Sequence, residues 1–200
     1  MNQEWVDRWL ESPGLRSETV GKAKWDLFEP TSEFYARLGS GDEDDLTWAA
    51  HRLGQYLDLS STPSVVYEWS LRVDAALAGL VQQNLVRIPL FYAGRPHALG
   101  AILAHELTHK VLECSGISCS MIEFEPLTDL ASIALGLGKL VLNGTIVELV
   151  AAMGEIQSLG YLAPELKVYA YLKVNQWHRV PNSCDYPGQD DSGRKGAALK

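Results

Sequence analysis

The stretch His105-Glu106-Leu107-Thr108-His109 decides how this 200-residue chain is read. Two histidines four positions apart on a helix differ by about 40° of rotation and ~6 Å of rise, so their imidazoles converge on one point. An ion held there leaves Glu106, between them, to act as general base on a metal-activated water. On this reading His105 and His109 are metal ligands, Zn2+ is the cofactor and Glu106 is catalytic. The surrounding residues support a helix from about Pro96 to Cys114, with Gly116 just past its end.

A catalytic zinc normally takes three protein ligands and keeps one position for water, so a third donor is required. Glu113 lies on the same helix but about 12 Å from His105, too far to share its ion. Position 112 is Leu and position 115 is Ser, which rules out a third histidine at short spacing; the only later histidine is His178. Glu125 is better placed. It opens a predicted second helix, about Glu125 to Leu137, after a glycine-containing turn, and Asp129 follows four residues later on the same face. One carboxylate can bind metal while the other accepts the free N–H of a ligand histidine, which orients the ring and raises its basicity. Glu123 lacks such a companion, so Glu125 is the predicted third ligand and Asp129 its supporting acid.

The histidine motif followed by Glu125-Pro126-Leu127-Thr128-Asp129 resembles the gluzincin metallopeptidases, whose pattern is HExxH with E-x-x-x-D downstream. That resemblance implies Glu125 as the third zinc ligand and Asp129 as the support of the first histidine. The longer pattern, running through Leu135-Gly136-Leu137-Gly138 to Gly160-Tyr161-Leu162 ahead of a helix, is similar to an uncharacterised group of short bacterial zincin-like proteins. It covers about residues 98–172. What it implies is a zincin-like fold, hydrolysis of a peptide or protein substrate bound in extended conformation, and pairing of that substrate with an edge strand near Leu85 to Tyr92.

Two departures stand out. Larger gluzincins supply an oxyanion-stabilising histidine or tyrosine from a C-terminal domain, and only 71 residues follow Asp129. Tyr161 is carried as that second catalytic residue, with Tyr169, Tyr171 and His178 as rivals that no motif separates. Ala163 stands where Ser or Asp would cap the following helix.

Bulk properties narrow the classes. With 46% apolar residues the chain can build one packed domain, and a net charge of −8 with a pI near 5.1 argues against nucleic acid, whose phosphates need clustered Lys and Arg. Met1 to Leu10 lacks the basic start and apolar core of a secretory signal. The longest apolar region, Leu130 to Met153, is interrupted by Lys139, Asn143 and Glu148 and reads as buried core, not a membrane span. A cytoplasmic protein is expected, with Cys114, Cys119 and Cys184 as reduced thiols.

Along the chain, Trp5, Trp9, Trp25 and Phe34 predict two short amphipathic helices in the first 40 residues. A helix over about Asp45 to Leu57 places Leu46, Ala49, Ala50, Leu53 and Leu57 on one face. Ser64 to Leu71 and Leu85 to Tyr92 read as strands, the second at an edge or bulged because Pro89 cannot donate to a central ladder. Arg72 to Gln83 fits either helix or strand. Further helices are predicted over Thr145 to Ser158 and Pro164 to Trp177. The expected fold is therefore α+β and zincin-like, mostly helical with a small mixed sheet. One domain over residues 1–181 includes an N-terminal helical wrap (1–60), and residues 182–200 form a disordered tail. The expected function is a zinc metallopeptidase. Its rivals are a non-catalytic zincin-like binding or regulatory module with structural zinc, and a zinc amidohydrolase with a non-peptide substrate.

Overall fold

A computed structural model describes residues 1–16, 27–69, 80–82, 84–117, 119–148 and 156–179. The architecture is α+β and mostly helical, with a small mixed sheet at one side.

Its centre is α5, Pro96–Ser115, which starts on a proline suited to the first helical turn and is capped by Gly116. Every residue from Ala98 to Ala104 is buried, so this half of α5 is enclosed on all sides by other elements, as a helix apolar all round must be. The later half turns polar at His105 and carries the motif.

Before it in the chain come α1 (Gln3–Leu10), α2 (Pro13–Arg16), α3 (Ser32–Leu38) and α4 (Glu43–Tyr56). The N-terminal wrap thus holds three described short helices ahead of α4 where two were predicted: Pro13 opens α2 instead of merely breaking the chain. Thr31 caps α3 and Asp42 caps α4, each accepting backbone N–H groups of the first turn. Leu46, Ala49, Ala50 and Leu53 form the buried face of α4, as their spacing predicts.

The sheet contains β1 (Ser64–Glu68), β2 (Leu80–Gln82) and β3 (Leu85–Pro89) in the order β1-β3-β2. β1 runs parallel to β3 and β2 antiparallel to it. This corrects the edge assignment: the strand near Leu85 to Tyr92 is central, and no substrate can pair with it as an open edge. Pro89 is tolerated because β2 reaches only as far as Arg87, leaving the proline beyond that ladder. The chain then turns through a 3-10 segment, Leu90–Tyr92, into α5. The outer side of β1 is engaged by α4, where the Tyr67 N–H donates to Glu43 Oε1 at 2.8 Å. Most of the undecided Arg72 to Gln83 segment, and Trp25, lie outside the described residues.

After α5 comes α6, Met121–Ser132, beginning four residues earlier than predicted. Pro126 falls inside it, and its absent N–H frees the Ile122 carbonyl; Ile122 is 87% exposed, so solvent can take that bond. A wide turn over Ile133–Leu137 follows, where Gly136 adopts φ 90, a left-handed value that favours glycine. α7 (Gly138–Asn143) returns against α5. The predicted helix over Thr145 to Ser158 is not formed at either end. Instead β4 (Ile146–Glu148) and β5 (Ile156–Ser158) pair antiparallel. The β-branched run Thr145-Ile146-Val147 prefers extended backbone, and pairing with a partner strand outweighed the helical spacing of its apolar residues. The last element is α8, Pro164–Arg179. Residues 182–200, with Cys184, lie outside the described residues. Cys114 and Cys119 are free. Among the described residues no helix is long and apolar enough to cross a membrane.

Candidate metal centre

His105 and His109 project from the polar half of α5 toward α6, where Glu125 stands one turn into its helix. His105 Nε2 lies 3.0 Å from His109 Nε2 and 3.0 Å from Glu125 Oε2; His109 Nε2 lies 3.2 Å from the same carboxylate oxygen. Around a tetrahedral ion with ligands at ~2.0–2.1 Å, neighbouring ligand atoms sit about 3.3 Å apart. The triangle has nearly that size. The imidazoles are 13% and 14% exposed and the Glu125 side chain 35%, so solvent reaches the cluster from one side.

The hydrogen bonds behind the rings decide which atoms face inward. His105 Nδ1 donates to Asp129 Oδ1 at 2.8 Å. His109 Nδ1 faces the Thr128 hydroxyl at 3.3 Å, and that hydroxyl spends its own proton on the Phe124 carbonyl at 2.9 Å. Each Nδ1 therefore carries the ring proton and each Nε2 presents a lone pair. With both rings neutral, two imidazole lone pairs and an acidic oxygen converge with no donor between them. Either a proton on His105 or a cation among the three atoms relieves that repulsion, and the donor set is one that a divalent ion can use.

The electrostatics say the same. Burial alone lowers the His105 pKa, but its hydrogen bonds to Asp129 and Glu125, with the charges of Asp129 and Glu106, reverse this and carry it to about 10. That direction favours a proton on His105 when no metal is bound. Burial likewise raises Glu125, yet the hydrogen bonds and charges of both histidines bring it down to about 2. Glu106 is different: it is 6% exposed, and burial holds its carboxyl above the usual range, with the two imidazoles opposing. A buried carboxyl beside two imidazoles has the chemistry to take up and return a proton.

Aromatic rings brace both imidazoles. Tyr161 stacks on His105 at 5.8 Å and 25°, and Phe124 stacks on His109 at 5.2 Å and 29°. A ladder of buried hydroxyls joins α5 to α6: the Ser132 hydroxyl lies 3.0 Å from Thr108 Oγ1 and 2.8 Å from the Thr128 carbonyl, and Thr108 donates to the Ala104 carbonyl. Behind His105, Asp129 is 3% exposed and its Oδ2 accepts the backbone N–H groups of Tyr161 at 2.7 Å and Leu162 at 2.8 Å. Burial raises the Asp129 carboxyl, but the His105 bond and the nearby charges of His105 and Lys167 outweigh it, and it lies below the usual range.

Of the residues singled out from sequence, the structure thus gathers His105, Glu106, His109, Glu125, Asp129 and Tyr161 at one place. The rivals of Tyr161 fare differently. The Tyr169 hydroxyl donates to the Asp7 carboxylate on α1 at 2.9 Å, and Tyr171 packs against the core near Gly138. The His178 side chain lies outside the described residues. Glu123 turns the other way and accepts from the Trp5 indole at 2.9 Å. Sequence reasoning passed over Phe124, Thr128 and Lys167. Thr128 shares the helical face of Glu125 and Asp129, a signal that spacing alone carries; Phe124 and Lys167 have none. Comparison with family models, with curated proteins and with solved structures finds no match.

Proposed function

We propose that this protein is a zinc-dependent hydrolase of the gluzincin type, most simply a metallopeptidase with a zincin-like fold. The observation that carries the proposal is the convergence of His105 Nε2, His109 Nε2 and Glu125 Oε2 within 3.0–3.2 Å beside a buried Glu106. When bound, zinc supplies Lewis acidity, lowering the pKa of water toward ~7 and polarising a carbonyl. The remaining work falls to the chain. Asp129 and Thr128 hold the two imidazoles in the tautomers that leave Nε2 free. Glu106 accepts the proton of the attacking water and returns it to the leaving amine. Tyr161, stacked on His105, is the residue we assign to the developing oxyanion. An extended peptide or protein is the proposed substrate.

Among the described residues three side chains offer donor atoms to the cluster, the number that catalytic zinc uses; structural zinc takes four. The test combines metal analysis with turnover of a quenched-fluorescent peptide mixture. About one zinc per chain is expected. Glu106→Gln should keep the metal and lose activity, while His105→Ala should lose both. Purified chain that neither holds nor takes up zinc overturns the proposal.

A further inference from the structure

We propose that Lys167 is a positioning residue for the metal centre: through Asp129 it holds His105 with Nε2 turned toward the ion. The inference rests on the metal reading above.

Lys167 belongs to α8, well removed in sequence from both motif segments, yet it is 1% exposed and ranks among the largest fully buried side chains. A buried ammonium must be held by partners. Its Nζ donates to the Leu159 carbonyl and lies 3.6 Å from Asp129 Oδ2. The other oxygen of the same carboxylate, Oδ1, accepts from His105 Nδ1.

The turn over residues 159–162 wraps this pair with three hydrogen bonds. Leu159 supplies the carbonyl for Lys167, and Tyr161 and Leu162 supply N–H groups to Asp129. Gly160, at φ 91, leaves the space: a Cβ there would come within 2.6 Å of Lys167 Nζ and 2.7 Å of Asp129 Oδ2. Tyr161 then lays its ring on His105. A single turn therefore joins lysine, aspartate and imidazole.

Stability alone does not account for this ion pair, since apolar side chains of similar volume often serve as well in a core. Orientation does. Asp129 Oδ2 accepts two N–H groups and faces the Lys167 ammonium at 3.6 Å, which leaves Oδ1 aimed at His105 and keeps that ring in one tautomer. Outer partners of metal-binding histidines typically carry 10–100-fold in metal affinity.

The experiment measures zinc affinity of the full chain by chelator competition, alongside thermal unfolding and the imidazole 1H–15N spectrum of the zinc-loaded protein. For Lys167→Met, about 10-fold or greater weakening of zinc binding is expected, with a weakened or shifted His105 Nδ1–H resonance. In an Asp129→Asn background the same lysine change should cost no further affinity, because its effect passes through the carboxylate. Lys167→Gln, which keeps a donor for the Leu159 carbonyl, carries the same test if Lys167→Met does not fold. A folded Lys167 variant with wild-type zinc affinity and an unchanged His105 resonance overturns the inference and leaves the metal reading intact. Wild-type protein that binds no zinc overturns both.

Discussion

On one side of α5 the α3 and α4 layer buries Phe34, Leu38, Leu46, Ala49, Ala50 and Leu53, and its polar contacts stay near the surface, such as Arg37 with Glu33 and Asp45 at 3.3 Å. On the α6 side the same helix meets Thr128, Asp129 and Ser132, all buried, together with the Lys167 ammonium behind them. The contrast separates two kinds of packing. Apolar burial is non-directional and sets how tightly the scaffold holds. Buried polar groups must each find a partner of the right sense, so they fix orientation atom by atom. The expected consequence is that substitutions on the scaffold side change stability and those on the site side change metal binding.

Several substitutions probe that separation, the largest effect first. Glu106→Gln is expected to lower turnover by about 10²–10⁴-fold with zinc content and unfolding temperature nearly unchanged; activity that survives would remove Glu106 from the mechanism. Leu53→Ala, in the fully buried face of α4, should cost about 2–5 kcal/mol in denaturant unfolding and leave zinc affinity of the folded protein alone. A matching loss of affinity would show that the two sides are coupled. Asp129→Asn should weaken zinc about 10–100-fold in chelator competition.

Proton linkage gives a smaller, graded effect. The His105 pKa rises on folding to about 10, so its contribution to the metal-free protein is complete below an unfolded value of ~6.5 and is lost as pH climbs toward 10. Glu125 falls to about 2, so its contribution holds above ~4.3 and disappears as pH drops through 2. Metal-free unfolding should therefore show a stability maximum between roughly pH 4.5 and 6.5. If zinc binds as proposed it displaces the His105 proton, so its affinity should rise by about tenfold per pH unit from ~7 up to about 10, with calorimetry in different buffers reporting about one proton released. A pH-independent affinity would contradict a proton held by His105. Least of all, Arg37→Met on the scaffold surface should alter unfolding by less than about 1 kcal/mol.

The parts of this molecule that were legible in sequence are those written in a local period. α4 and α5 follow from apolar spacing and end signals, and the pair Glu125 and Asp129 from four-residue helical spacing. Misreadings arose where a distant partner decided. The strand Leu85–Pro89 looks like an edge because of its proline, but β2 stops short of that position and the strand takes the centre. Residues 145–158 carry a plausible helical pattern, yet each end pairs with the other as strand. α6 starts at Met121, ahead of the predicted Glu125.

The sequence alone settles that two imidazoles share a helix face and that acidic side chains follow at helical spacing, because covalent geometry and helix pitch set those distances. Only the tertiary structure decided that α6 brings Glu125 to the imidazoles, that Phe124 and Tyr161 brace them, and that a lysine from α8 stands behind Asp129. Those are contacts between elements, and their cause is the need of each buried polar group for a partner, which no local period records.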